Sequence, residues 1–441
     1  MLGGGILDRR TNRYASNGPA VVGSAIGFWN GQRMSNLRIC VDARAAVPET
    51  GGVYQTILGV LMGLSELAGE EEYYALLSPG REQWVSSLLG GNLKPLMGRS
   101  RWKHWIIPLI SPGARRLVHR FRQIGPPHIP ESDGTAERAG AQLIHFTTQG
   151  AFRTVLPSIY NPQDLQHLHL PESFTAKDRR WRDLAYPFFC AQAKAVVALT
   201  RWGKQDLVKM LDLDPDKIYV IGGASLVSHL GSPGYEALRN VQRRYSLPEA
   251  FALFPATAWR HKNHLRLVDA LAILKRKGVR IDVVCTGAVS EFQGVIVERM
   301  RSLGVADQIR FLGFVPEQEL ASLYHLARLL IFPSLFEGFG LPLVEAFEAG
   351  LPVACSNSSA LPEVAGNCAL LFNPSDPEEM SEAMLRLWKD DDLRSDLVRR
   401  GRSRVAGQTW ERVARNYRAL YRFVGGGDLS DEDRRLLSES R

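Results

Sequence analysis

One stretch constrains this chain more than any other: Pro333-Ser334-Leu335-Phe336-Glu337-Gly338-Phe339-Gly340-Leu341-Pro342-Leu343-Val344-Glu345-Ala346. It follows a short apolar run, 329–332, of the kind that forms a buried parallel strand. Gly338 and Gly340 flank Phe339, so the backbone there is free to turn sharply or approach a ligand closely. Pro342 suits the first turn of a helix that Leu343, Val344, Ala346 and Phe347 continue. Leu341, just before it, is a poor cap, which leaves the first N–H groups of that helix unsatisfied. A strand, a glycine turn and an uncapped helix start together form an anion site. Glu337 lies in the turn and Glu345 in the helix, and carboxylates accept hydrogen bonds from sugar and ribose hydroxyls. Read alone, the same residues also describe a tight strand–helix turn with two surface glutamates.

The rest of the chain supplies the context. A length of 441 residues favours two domains. No apolar run approaches the roughly 18 residues of a spanning helix. The five cysteines, Cys40, Cys190, Cys285, Cys355 and Cys368, have no metal-ligand spacing and fall mostly in strand-like runs. Reduced core thiols in a cytoplasmic protein are expected. Charge is lopsided. Residues 1–248 hold 29 Lys+Arg against 20 Asp+Glu, and 249–441 hold 25 against 26, so +9 and −1 make the net +8. The densest basic cluster is Arg115, Arg116, His119, Arg120 and Arg122, beside Trp102-Lys103-His104-Trp105. Basic and aromatic residues together fit peripheral contact with an anionic membrane. A solvated helix face beside a core segment fits them as well. No base-stacking module accompanies them, so nucleic acid is not an expected partner.

In order along the chain, residues 1–36 read as a disordered extension. A strand at 37–42, the pair Gly51-Gly52 and a helical pattern to residue 67 make the first unit of an open α/β sheet. A strand at 73–77 and a helix at 81–89 follow, and 123–140 reads as a long flexible loop. After a strand at 155–160 comes Asn161-Pro162-Gln163-Asp164-Leu165-Gln166-His167-Leu168-His169. Polar residues just past a strand end are where open α/β sheets bind ligands. The second half opens with a strand at 251–255 and the loop Trp259-Arg260-His261-Lys262-Asn263-His264. Cations at a helix start oppose the helix dipole, so Arg260 and Lys262 call for a compensating anion such as a diphosphate. Regular βα alternation then runs to a helix at 410–424, and the tail 425–441 is expected to be loose.

Together these motifs resemble the retaining family 4 glycosyltransferases, the group 1 glycosyl transferases. The resemblance rests on Glu337 and Glu345 with seven residues between them, on Leu361-Pro362-Glu363-Val364-Ala365-Gly366, and on His261-Lys262-Asn263-His264. It is continuous over about 251–424, and weaker at Gly51-Gly52, 164–172 and 200–207.

The resemblance implies an α/β GT-B fold, two Rossmann-like domains facing across a cleft. The expected divisions are 37–230 for the acceptor-binding domain, 231–408 for the donor-binding domain, 409–424 for a helix crossing back to the first domain, and 425–441 for a flexible tail. It implies a nucleotide-sugar donor, with Lys262 and Arg260 on the diphosphate and Glu345 on the ribose. Glu337 and the Gly338-Phe339-Gly340 backbone would hold the sugar, and Gly51-Gly52 would close over it. The expected reaction is transfer of a hexose, with retention, to a saccharide or lipid-linked acceptor. No cofactor and no metal are required. The Trp259–His264 loop is similar to enzymes using mannosyl donors, so GDP-mannose is the expected donor. A UDP-sugar transferase, a nucleotide-sugar epimerase and a non-enzymatic sugar-binding protein are the alternatives. Two departures stand out. Where many members carry His-Asp, this chain has Gln163-Asp164, leaving Asp164, His167 and Glu337 as catalytic candidates, with His169 a further imidazole. Arg260 stands where relatives often have Pro.

Overall fold

The computed structural model describes residues 36–46, 51–80, 83–98, 128–227 and 231–441. The basic–aromatic cluster at 102–122, the extension 1–35 and the start of the expected 81–89 helix lie outside these residues.

Among the described residues, thirteen strands form two sheets, and every ladder between them is parallel. The first sheet takes β1 (Arg38–Asp42), β2 (Glu72–Leu77), β3 (Leu93–Met97), β4 (Leu143–Phe146), β5 (Ser158–Tyr160), β6 (Ala195–Ala198) and β7 (Ile218–Val220), in the order β3-β2-β1-β4-β5-β6-β7. The second takes β8 (Ala252–Pro255), β9 (Val283–Thr286), β10 (Ile309–Phe311), β11 (Leu329–Phe332), β12 (Val353–Ser356) and β13 (Ala369–Phe372), in the order β10-β9-β8-β11-β12-β13. Each order reverses once, at β1/β4 and at β8/β11. Loops leaving neighbouring strands there diverge and open a crevice for ligand. Gln163-Asp164 follows β5, the Lys262 loop follows β8 and Glu337 follows β11. Each of these loops directly follows a buried strand and so sits at the carboxyl end of its sheet.

The helix Trp410–Gly425 follows the last helices of the second half but packs in the first. Trp410, Ala414, Tyr417 and Tyr421 are buried in the core of the seven-stranded half. Their helical spacing makes one apolar stripe. That stripe lies on the helix Gly52–Glu66, where glycines make the approach possible: a Cβ at Gly59 would lie 2.0 Å from the Trp410 ring, and one at Gly63 would lie 2.3 Å from its carbonyl oxygen.

Three local expectations are corrected. The tail forms a helix, Asp431–Glu439, because Ser430 and Asp433 make a capping box and Leu436 and Leu437 give it an apolar side. Arg422 bridges Asp433 at 2.8 Å, and the Val220 N–H on edge strand β7 donates to the Ser440 carbonyl at 2.6 Å. Within 123–140, the described part carries the helix Thr135–Arg138 and a bridge from Glu131 to Arg153 rather than a free loop. The expected 81–89 helix is reduced to a 3-10 turn, Ser86–Leu88. Strand β3, at the sheet edge, carries Pro95, which an edge strand tolerates. All five cysteines are buried and unpaired.

Candidate active site

The loop after β11 is strapped on every side. Ser356 Oγ donates to the Ser334 carbonyl at 2.6 Å and Ser358 Oγ to the Leu335 carbonyl at 2.7 Å. The Leu335 N–H donates to the His261 carbonyl at 2.7 Å, and the Glu337 N–H to Ser359 Oγ at 2.8 Å. Gly340, at φ +99°, precedes the helix Leu341–Ala349, with Pro342 in its first turn and no side chain capping it. The uncapped helix start read from the sequence is therefore present, and the positive φ explains the glycine.

Lys262 Nζ donates to Glu337 Oε1 at 2.6 Å, and the two side chains are 18% and 14% exposed. The ammonium also lies 5.3 Å from the Phe332 ring centroid. Burial works to raise the Glu337 pKa, but Lys262 and then His261 outweigh it and hold the carboxyl below its ordinary range. Burial also depresses His261 and His264, to about 4 and about 3, so both rings are neutral at physiological pH. Asn263 fixes the lysine loop to the glutamate loop. It adopts φ +65°, and its amide donates to the Pro333 carbonyl at 3.0 Å and the Pro374 carbonyl at 2.8 Å. Asn is among the residues that tolerate that backbone region. Arg260 is exposed and its guanidinium lies 4.7 Å from the Phe292 centroid, turned to an aromatic face.

Glu345 sits in a second network. It is 3% exposed, and Tyr324 Oη donates to its Oε2 at 2.5 Å. Burial pushes its carboxyl up to about 7; hydrogen bonds from Tyr324 and from Gln55 of the first half oppose the shift, and Glu317 and Glu348 add to it. The two glutamates are thus held apart by chemistry: one kept ionised beside a cation, one pushed toward its neutral form by burial beneath a tyrosine. Tyr324 and Gln55 carried no motif that would have singled them out.

The first half meets this loop at Gly338. A Cβ there would lie 2.7 Å from the Gln163 carbonyl oxygen and 3.1 Å from Asp164 Cβ, so only glycine allows the contact. Gln163 adopts φ +68° and its amide donates to the Thr147 carbonyl at 2.7 Å. Asp164 Oδ1 accepts the Gln166 N–H at 3.0 Å. Burial raises its pKa, with Glu337 adding and the Gln166 N–H, Arg182 and Lys262 opposing. Gln163, Asp164, Trp202, Asp206 and Gly338 border a space of 10 Å³, room for about one water.

The histidines do not converge on that point together. His167 is buried with its ring 4.8 Å from Tyr186 and its Nε2 3.7 Å from Asp183; burial drops its pKa to about 4. His169 does reach the loop: it stacks on Phe336 at 4.9 Å while its Nε2 pairs with Asp206 at 2.8 Å. Phe339 packs under Gly222 and Gly223. Gly51, at φ +61°, begins the helix Gly52–Glu66, and among the described residues a Cβ at either Gly51 or Gly52 would meet no atom within 4 Å. Among the described residues, no group of three or more His, Cys, Asp or Glu side chains is arranged to hold a metal ion.

Known proteins resemble this chain in sequence and in fold. A model of the family described as glycosyl transferases group 1 matches residues 240–404, which hold Lys262, Glu337, Glu345 and Glu363. The O-antigen chain mannosyltransferase B of Escherichia coli is 28% identical over 266 residues, 58% of this chain and 70% of that protein. The serotype-specific mannosyltransferase WbdA of the same species is 30% identical over 228 residues; the match covers 51% of this chain but only 28% of that longer protein. Among solved structures, Anabaena HepE in complex with UDP and glucose superimposes with a TM-score of 0.65 at 14% identity, over 87% of this chain and 99% of that one. At that identity the likeness speaks for the fold. Two parallel sheets and a returning C-terminal helix give the chain a GT-B fold, and residues 240–404 are similar to the glycosyl transferases group 1 family.

Proposed function

We propose that the chain is a retaining hexosyltransferase that moves mannose from GDP-mannose to a hydroxyl of a saccharide or lipid-linked acceptor. The observation that carries this reading is the Lys262–Glu337 pair at 2.6 Å, beside an uncapped helix start and against Asp164. A departing nucleoside diphosphate concentrates negative charge, which a shielded cation and oriented N–H groups stabilise more strongly than water does. Lys262 supplies that charge, with Arg260 a second cation when it leaves Phe292. Charge neutralisation by these groups makes the reaction metal-independent. Glu337 takes sugar hydroxyls, and the Gly338-Phe339-Gly340 backbone holds the sugar and its phosphate. Glu345 takes ribose hydroxyls in exchange for Tyr324 and Gln55. Gly51-Gly52 closes over the donor from the first half.

Retention follows when the leaving phosphate removes the acceptor proton on the face it departs from. Asp164, whose Cβ lies 3.1 Å from where a Gly338 Cβ would stand, assists there. His167, sealed against Tyr186, takes no part. Residues 37–230 form the acceptor half and 231–408 the donor half. Mannose rests on the relatives, two of which are named as mannosyltransferases. The location proposed is cytoplasmic, with peripheral contact to an anionic membrane through the basic first half. Among the described residues no helix is long and apolar enough to cross a membrane.

A ligand that binds the native state raises the thermal midpoint. GDP is expected to raise it more than UDP or ADP, with and without EDTA. GDP-mannose is then expected to be consumed only with an acceptor present. A larger shift with UDP moves the donor to a UDP-sugar, and turnover of donor alone into a second nucleotide sugar marks an epimerase. No shift with any nucleotide overturns the donor site.

A further inference from the structure

The carboxylate of Glu363 crosses from one half to the other. It stands on the helix Leu361–Ala365 of the six-stranded half, yet its Oε1 accepts the Arg201 N–H at 2.9 Å and its Oε2 the Trp202 N–H at 2.7 Å. Those are the first two N–H groups of the helix Arg201–Leu211 in the seven-stranded half. A helix leaves its first N–H groups without intrahelical partners and carries partial positive charge there. This helix already has its own cap, since Thr200 Oγ accepts the Gly203 N–H at 3.0 Å. The Glu363 carboxylate therefore satisfies the two donors that Thr200 leaves free. Its base is braced: Arg404 donates to the backbone carbonyls of Glu363 and Val364.

The contact adjoins the reacting loops. Thr200 Oγ1 also donates to the Gly338 carbonyl at 3.4 Å. Trp202 meets the Phe336 ring edge-on at 5.4 Å, and His169 stacks on the same ring. Phe336 and Gly338 flank Glu337. The helix start that Glu363 holds is thus the same structural unit that touches both neighbours of the sugar-side glutamate and lies beside the Asp164–Gly338 contact.

We propose that Glu363 is a positioning residue for transfer: its carboxylate docks on the N-terminus of the helix Arg201–Leu211 and fixes the closed register in which Asp164 meets the donor loop. The kinetic part rests on the glycosyltransferase reading above; the docking itself does not. Glu363 touches neither Lys262 nor Glu337 in this register, so it governs closure and not the capture of nucleotide.

The test uses the full chain as Glu363→Ala and Glu363→Gln, with small-angle scattering before ligand and kinetics after it. In Glu363→Ala the radius of gyration is expected to rise, and kcat to fall about tenfold because the groups lose their mutual register. The GDP dissociation constant is expected to stay within about twofold, since the donor half keeps its own contacts. Glu363→Gln retains an acceptor oxygen and is expected to recover most of both losses. A Glu363→Ala scattering curve that superimposes on wild type overturns the proposal, as does nucleotide affinity lost in step with the thermal midpoint. If wild type binds no nucleotide, the donor reading fails while the scattering arm still decides the docking.

Discussion

Lys262 and Glu337, 75 residues apart in sequence, share a 2.6 Å hydrogen bond at the carboxyl edge of one sheet. The proposed phosphate cation and the proposed sugar carboxylate thus neutralise each other before any donor arrives. A bound diphosphate would compete with Glu337 for the ammonium and free the carboxylate for hydroxyls.

Lys262→Met is expected to lower kcat/KM by about 10²-fold or more, the scale of losing a positioned charge at a leaving group. It also strands the Glu337 carboxylate, at a cost of about 1–3 kcal/mol, reduced by the pair's partial exposure. Adding Glu337→Gln is expected to return stability but not activity, because removing both partners spares the buried charge. Urea unfolding and steady-state rates on the two variants and wild type separate the two effects.

Glu345 gives a pH signature. Burial raises its carboxyl from the ordinary 4.5 to about 7. A raised folded pKa means the fold binds the proton more tightly than the unfolded chain does. Its contribution is therefore complete below about pH 4.5 and is lost as pH rises through about 7. Glu345→Gln keeps an acceptor for Tyr324 and is expected to flatten that fall between about pH 5 and pH 8 in urea midpoints. Nucleotide affinity in wild type is expected to run the other way, strengthening as the carboxylate ionises, since ribose hydroxyls donate to it.

Much of this arrangement was legible in the sequence because it is local. Apolar runs ending in glycine or proline give the strands and the loops at their ends. A cation beside a helix start, as at Lys262, calls for a compensating anion, and Glu337 provides one here. What stayed hidden depends on chain segments far apart. Nothing near Glu345 announces Tyr324 or Gln55, and nothing near Glu363 announces the helix start at Arg201. His167 read as a site residue because it follows a strand end, but the short helix Gln166–His169 turns it inward and leaves His169 outward. Period and spacing specify which residues share a loop, and packing decides which of them face the cleft.

Gly338→Ala is expected to separate the halves without unfolding either. Its Cβ would lie 2.7 Å from the Gln163 carbonyl oxygen, a contact that backbone shift alone relieves. Moving the reacting groups by a fraction of an ångström to one ångström is expected to cost about 10- to 100-fold in kcat. The thermal midpoint should change little, because the contact is between loops and not within a core. Near-normal turnover would mean the observed register is not the reactive one.

Removal of residues 428–441 is expected to destabilise the first half, although these residues are remote from the donor loop. The deletion takes away Asp433, which accepts Arg422 at 2.8 Å, while Arg422 also pairs with Glu71. It uncovers the apolar surface that Leu436 and Leu437 bury, about 1.5–3 kcal/mol for each side chain fully buried. It also frees the Val220 N–H, which pairs with Ser440 on the edge strand, and an open edge invites intermolecular pairing. The truncated chain is therefore expected to unfold several degrees lower and to aggregate on heating, while nucleotide still stabilises it through the second half. Differential scanning calorimetry with and without GDP measures both effects, and an unchanged midpoint would return the tail to the loose segment its composition suggests.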